Sequence, residues 1–568
     1  MVVKHAGKKY DVDLDPESTG EIFKMQVFSL TGVEPERQKI LVKGGQLKDD
    51  TLLSTLGAKP GQAFMMMGSP APSNGKQAVV PAQKIVFEED MTDAQRAQQA
   101  GATPAGLQNL GNTCYLNSTL QTLRLVPELQ QELQKYTPTA PPMGNSLGQL
   151  TSFGSSSLDL TASLRDLYKQ MGETQEGFPP LVFLSALRNQ FPQFAQKSKT
   201  GNGYAQQDAE EAWSQILSQL RSNLVIKDAP GNSISFVDRY MTGDFTSVME
   251  CDDEQAKEMG EEAVTGHDKF LKLDCHIRGT TNHLRDGIAA ALEEKIEKRS
   301  SLLERDVMYT KKSKIARLPK YLTVHFVRFF WKREAGKKAK IMRKVTFPHE
   351  LDVVEFCTDE LKKMLIPVRD KIREVRKDEE DVERARKRQK RLHDKEESDR
   401  QLGLTDSTAS SKKKDDKKDD KEAKPSGSGQ DTEMADVTYK TDAEIEAERA
   451  EQILTAKKEL HALINPELQK DEGANKSGLY ELRGLVTHQG ASADSGHYTS
   501  YVKKQGVLNP ETGKRGEEDG KWWWFNDDKV SEVEAEKIDT LSGGGESHSA
   551  LILLYNALPL PSIDGVDA

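Results

Sequence analysis

Residues 106–125 read GLQNLGNTCYLNSTLQTLRL and place a single cysteine, Cys114, where a helix should begin. Leu116, Leu120 and Leu123 recur at helical spacing after it, and Pro127 ends the pattern. Unpaired N–H groups and the positive end of a helix dipole favour thiolate over thiol, so this position predicts an activated sulfur. Five residues upstream, the amide of Asn109 could donate a hydrogen bond to a developing oxyanion, a role worth roughly 3 kcal/mol where it has been measured. Asn112 and Thr113 read as turn and cap residues. A lone cysteine beside a helix start also has a plain reading, as buried packing.

Partners for that sulfur lie far downstream. Residues 494–502, DSGHYTSYV, put His497 beside Gly496 at the head of a strand, and residues 521–528, KWWWFNDD, precede another strand. Cysteine, histidine and an Asn or Asp, remote in sequence, supply the nucleophile, general base and orienting group of a thiol hydrolase.

These stretches carry a resemblance. GLQNLGNTCYLN, GLYELRGLVTHQGASADSGHYTSYV and WWWFNDDKVSEV are similar to the Cys and His boxes of ubiquitin-specific proteases, in particular the proteasome-associated subfamily with an amino-terminal ubiquitin-like domain. The likeness covers most of residues 1–360 and 476–556. It implies an α+β chain: a β-grasp ubiquitin-like domain, then a papain-like thumb, palm and fingers domain interrupted by a charged helical and disordered insertion. The implied activity is hydrolysis of the isopeptide bond after ubiquitin's terminal glycine, with Cys114 as nucleophile, His497 as base, Asn526 as orienter and Asn109 at the oxyanion. Many relatives have Asp at the third position, so Asp527 is an alternative orienter. No cofactor is implied.

Along the chain, residues 1–68 show a short hairpin, a helix with Phe23 and Val27 on its buried stripe, and further strands, in the order of a β-grasp. This segment lacks a diglycine end and so reads as a binding module. Leu41, Gly44, Met65 and Met67 fall where such folds present an apolar face, which the resemblance makes a docking patch for the proteasome regulatory particle; the methionines could equally fill a small core. Residues 69–84 read as a flexible linker. The first part of the catalytic domain spans 85–360 and includes a short strand at 85–87 and a polar helix up to residue 100. Residues 203–220 resemble the family's second signature. There Asp208 is a candidate contact for ubiquitin's basic tail, or simply an acid at a helix start.

The fingers region, residues 234–283, lacks the paired cysteines that hold zinc in many relatives; Cys251 and Cys275 stand singly, so no metal is expected. Residues 318–332 alternate as a strand with one buried face. Residues 333–344 and 490–495 resemble loops that lie over the tail channel. The insertion, 361–475, is dominated by charge, with disorder expected over 400–440 and solvated helices on its flanks. Within it, RARKRQKR at 384–391 reads as a nuclear signal, an anion-binding patch or a plain solvated helix. Residues 476–558 complete the catalytic domain and 559–568 form a tail.

Composition agrees. A net charge of −10 argues against a general nucleic-acid binder, and four scattered cysteines argue against a disulfide framework. With no signal peptide or membrane-length apolar run recognised, a cytoplasmic and nuclear protein is expected.

Overall fold

A computed structural model of the chain forms two compact units, Met1–Val86 and Phe87–Ala568. It describes residues 2–5, 8–12, 19–31, 33, 35, 38–42, 45–48, 51, 53 and 63–67 of the first unit. In the second it describes 102–138, 159–198, 203–229, 232–300, 302–332, 337–401, 442–493, 495–507 and 515–563. The expected linker at 69–84, the strand and helix at 85–100, Gly44 and the stretch at 402–440 lie outside the described residues.

The first unit is a mixed five-stranded sheet on one helix. Strands β1 (Val2–His5) and β2 (Lys8–Asp11) form a hairpin, α1 spans Gly20–Thr31, and β3 (Lys39–Val42), β4 (Gly45–Gln46) and β5 (Ala63–Met67) complete the order β2-β1-β5-β3-β4. β1 and β5 run parallel at the centre, which needs the crossover that α1 supplies. Val3, Phe23, Val27, Ile40, Phe64 and Met66 fill its core. Strand alternation then turns Met65 outward at 55% exposure, opposite Leu41 at 42% in the neighbouring strand.

The second unit packs helices against a ten-stranded sheet. Its helices include α2 (Cys114–Leu123), α3 (Pro127–Lys135), α4 (Leu160–Glu173), α5 (Leu181–Gln190) and α6 (Ala209–Asn223). A small hairpin, β6 (Val225–Ala229) and β7 (Asn232–Ser235), precedes a four-stranded sheet ordered β11-β12-β8-β9. That sheet is built from β8 (Gly243–Cys251), β9 (Val264–Phe270), β11 (Glu293–Arg299) and β12 (Asp306–Arg317), and Cys251, Ala256, Val307 and Tyr309 pack on one side of it.

The main sheet follows the path β10-β13-β21-β17-β18-β19-β20. Its strands are β10 (Leu273–His276), β13 (Tyr321–Val327), β17 (Leu479–Ser492), β18 (Ser495–Lys503), β19 (Trp522–Asn526), β20 (Lys529–Val533) and β21 (Ser549–Ala557); β14 (Phe329–Lys332), β15 (Lys337–Lys340) and β16 (Glu350–Asp352) join its margins. The first seven residues of β21, SALILLY, are all buried, as a strand covered on both faces requires.

β13 corrects an expectation. Thr323 is as buried as its apolar neighbours, because Tyr321 and Leu554 belong to the core under the helices while Leu322, Val324 and Phe326 face a second core. Two cores sandwich this strand from Tyr321 to Val324, and only His325 and Val327 near its end are partly exposed.

The insertion begins with α7 (Asp359–Gln401) and returns through α8 (Asp442–Leu463). Val368, Ile372, Leu460 and Ile464 close against Leu479 and Leu560, and Lys371–Glu459 and Lys457–Glu379 pair across the helices. Residues 384, 386–388 and 391 of the basic run are exposed on α7.

Candidate active site

α2 is buried along its whole length although half its residues are polar. It tolerates this because the polar side chains have acceptors: Ser118 and Thr119 donate to Tyr115 O, Thr122 to Ser118 O, and Gln121 Nε2 to Ala105 O. The loop before it is equally fixed. Asn109 Oδ1 accepts from Gly111 N at 3.0 Å and Thr113 N at 3.1 Å, and Thr113 Oγ1 accepts from Leu110 N. Asn112, at φ 57°, ties the turn to Tyr204 O.

Cys114 is the first residue of α2 and only 2% exposed. Burial pushes its thiol up to about 11, against the main-chain N–H groups of Tyr498, Tyr115 and Cys114 itself, which pull it down; Asp527 adds to the rise. The expected thiolate is therefore not the resting form. Helix position favours the anion, but loss of water outweighs it. The Tyr498 contact also places the sulfur against β18, one residue from His497.

His497 is partly buried, and its Nε2 lies 2.6 Å from Asn526 Oδ1, at the end of β19. A carbonyl oxygen accepts only, so Nε2 carries the proton and, in the neutral ring, Nδ1 is the free base. Asp527 follows with φ 54°. Its carboxylate is clamped: Oδ2 accepts from Asn109 Nδ2 at 3.0 Å, Oδ1 from Asn117 Nδ2 at 2.8 Å, and its carbonyl from Leu107 N at 3.0 Å. Oδ2 stands 3.9 Å from His497 Nε2, beyond a hydrogen bond but within strong electrostatic reach. Asn109 is thus already committed to Asp527, with one amide N–H that meets no acceptor among the described residues.

Asp208 caps α6 by accepting from Glu210 N at 3.0 Å, and burial raises its carboxyl. Lys338 Nζ approaches it at 3.8 Å from β15. The same strand is stitched to the β17–β18 turn. Ser492 Oγ donates to Lys338 O at 2.7 Å, Ala339 pairs with Ser492, and Lys340 Nζ donates to His488 O at 2.5 Å. Arg328, 1% exposed, fixes the root of this hairpin through the carbonyls of Ala550, Ile341, Arg343 and Ser542.

Two further imidazoles stand behind His497. Burial holds His488 down at about 3 and His548 at about 4, and His548 Nδ1 sits 3.1 Å from Thr487 Oγ1. Asn117, Arg328, Lys338, Lys340, His488 and His548 were not singled out from sequence. Asn117 had the one available signal, an amide three residues after Cys114 in the same expected helix.

Leu41 and Met65 belong to the other unit; Gly44 and the Met67 side chain are outside the described residues.

A sulfur at a helix start, an imidazole with a free Nδ1, and an amide and carboxylate behind the ring are the equipment of a cysteine hydrolase. Comparison with known proteins narrows the class. Residues 105–555 match the family described as ubiquitin carboxyl-terminal hydrolase, and residues 1–71 the ubiquitin family. Over 558 residues the chain is 43% identical to ubiquitin carboxyl-terminal hydrolase 6 of Schizosaccharomyces pombe, covering 98% of each chain. It is 37% identical to ubiquitin carboxyl-terminal hydrolase 6 of Arabidopsis thaliana, over 97% of this chain and 96% of that one. With ubiquitin carboxyl-terminal hydrolase 14 of Caenorhabditis elegans it shares 31% identity, over 98% and 92%. The chain belongs to the ubiquitin carboxyl-terminal hydrolase family: it is a thiol-dependent deubiquitinase with an amino-terminal ubiquitin-like domain.

Proposed function

We propose that this enzyme cleaves isopeptide bonds after ubiquitin's terminal glycine on substrates held at the proteasome, where its ubiquitin-like domain docks, and so recycles ubiquitin. The observation that carries the chemistry is the 2.6 Å His497–Asn526 contact beside the Cys114 helix start. In this reading His497 Nδ1 takes the Cys114 proton, the sulfur attacks the carbonyl, and His497 returns the proton to the departing lysine amine. Asn526 orients the ring; Asp527 supplies the negative charge that a neutral amide cannot. Asn109 donates its spare N–H to the oxyanion. Water then releases ubiquitin.

Ubiquitin's tail enters between α6 and the β14–β15 hairpin, with Asp208 facing its arginines once Lys338 has moved away. The stitched loops close this channel in the free enzyme and open on docking. Leu41 and Met65, paired across two strands and exposed, support a docking face for the regulatory particle; on this reading the enzyme works in cytoplasm and nucleus.

A second reading, a ubiquitin-binding regulator of the proteasome that barely turns over, is favoured by the raised Cys114 thiol and the closed loops. Ubiquitin carrying a thiol-trapping terminus separates the two. Labelling of wild type with proteasome present, and none of Cys114→Ala, is the expected result; no labelling of wild type with or without proteasome overturns the enzymatic reading at this site.

A further inference from the structure

Beside the His497–Asn526 pair opens a polar cavity of about 410 Å³, walled by Gln108, Asn109, Asn526, Asp527, Asp528 and Lys529. Its walls are anchored. Gln108 Nε2 donates to Gly177 O at 3.1 Å and Gln108 N to Phe178 O at 3.0 Å. Gly106 and Gly177 pack under Asp528 so closely that a Cβ on either would lie 2.5 Å and 2.7 Å from it, which holds the 527–528 turn in place. Asp528 and Lys529 are exposed at the rim, and neither forms an ion pair with another described residue.

The cavity's position relative to the tail channel follows from α2. Asn117 and Thr119 are two residues apart, about 200° around a helix, and so point to opposite sides. Asn117 donates to Asp527, and Thr119 Oγ1 reaches Ala209 O at the start of α6. The cavity and Asp208 therefore flank the Cys114 end of α2 from opposite sides.

We infer that this cavity is the acceptor-side subsite, which takes the lysine stem and flanking residues of the polypeptide from which ubiquitin is removed. The inference rests on the tail entering on the Asp208 side, as proposed above. In the acylation step a sulfur–carbon bond forms and the carbon–nitrogen isopeptide bond breaks. The nitrogen gains the thiol's proton through His497 and departs as a neutral lysine amine. Ubiquitin's acyl carbon stays on the sulfur, so the amine leaves on the other side, past the ring that Asn526 holds at the cavity wall. Asp527 and Asp528 outnumber Lys529 there, so the subsite favours cationic residues beside the modified lysine.

The test uses the full-length protein docked on proteasome, with the Cys114→Ala protein as background, and ubiquitin isopeptide-linked to peptides whose lysine is flanked by Arg or by Glu. Wild type is expected to show about a two- to fivefold higher kcat/KM on the Arg-flanked substrate, the range of an exposed ion pair. That preference should collapse at about 1 M salt, where the screening length falls to about 3 Å. Asp528→Asn should remove part of it and Asp528→Lys should invert it, with thermal midpoints confirming that both variants fold. Equal rates on the two peptides in wild type, or a ratio that Asp528→Lys leaves unmoved, overturns the subsite. A wild type inactive, even with proteasome present, on ubiquitin with a small fluorogenic leaving group would strike the active-site reading instead.

Discussion

Replacing Asp527 by Asn separates charge from geometry at this site. The carboxylate lies 3.9 Å from His497 Nε2. Two unit charges at that distance interact by about 4 kcal/mol at an effective dielectric of about 20, and by roughly half that once the partial exposure of His497 is allowed for. An imidazolium that forms on the reaction path would lose this support, so kcat/KM on a ubiquitin amide should fall by about 30- to 1000-fold. The same substitution acts on Cys114 in the opposite sense, because Asp527 helps to raise its thiol. Iodoacetamide should therefore alkylate Cys114 faster at a given pH in the variant, even as hydrolysis slows. Asn also offers one oxygen where Asp527 gives two, to Asn109 and Asn117, so a stability loss of about 1–3 kcal/mol is expected and a thermal midpoint is needed beside the kinetics. Hydrolysis within twofold of wild type, or alkylation and hydrolysis that fall together, would refute the division of labour between Asn526 and Asp527.

Three other outcomes follow from the same geometry. In the free enzyme, alkylation of Cys114 followed against pH should show a midpoint near 11, where burial holds the thiol, and ubiquitin bound without a covalent bond should shift it. Stability should fall as pH drops from about 6.5 toward 4, measured by denaturant titration. His488 and His548 are held neutral at about 3 and 4 when folded, so the unfolded chain binds protons first; His548→Gln should flatten part of that slope. Ser492→Ala removes the hydroxyl that holds Lys338 O and should raise free-enzyme hydrolysis about two- to tenfold, the value of one net hydrogen bond, while the proteasome-bound rate changes less. An unchanged free-enzyme rate would mean that these loops do not gate the channel.

The parts of the site that are legible in sequence are those set by local chemistry. Cys114 at a helix start, His497 next to a glycine on a strand and Asn526 at a strand end are readable because a helix start and a strand end are short-range features. The β-grasp order could be read for the same reason, through periodicity and turns. The protonation of Cys114 could not: it depends on how much water the neighbouring sheet excludes, and burial reversed the sign expected from the helix dipole. Thr323 misled in the same way, since alternation along β13 shows one apolar face but not that helices cover the other. Lys338 and Lys340 belong to a basic run that resembles a loop over the tail channel, which names no partner for either; the pairing of β15 with Ser492 brings them to Asp208 and His488. Asp527 was visible as a neighbour of Asn526, but its positive φ and its grip by two asparagines are products of the fold.

The most direct test is a structure of the enzyme trapped on a ubiquitin whose terminus captures the nucleophile. The bond is expected at Cys114 Sγ, with His497 Nδ1 within roughly 4 Å of the sulfur and Nε2 still on Asn526. A trapped bond on another residue, or a His497 ring turned away from the sulfur with ubiquitin in place, would contradict the account.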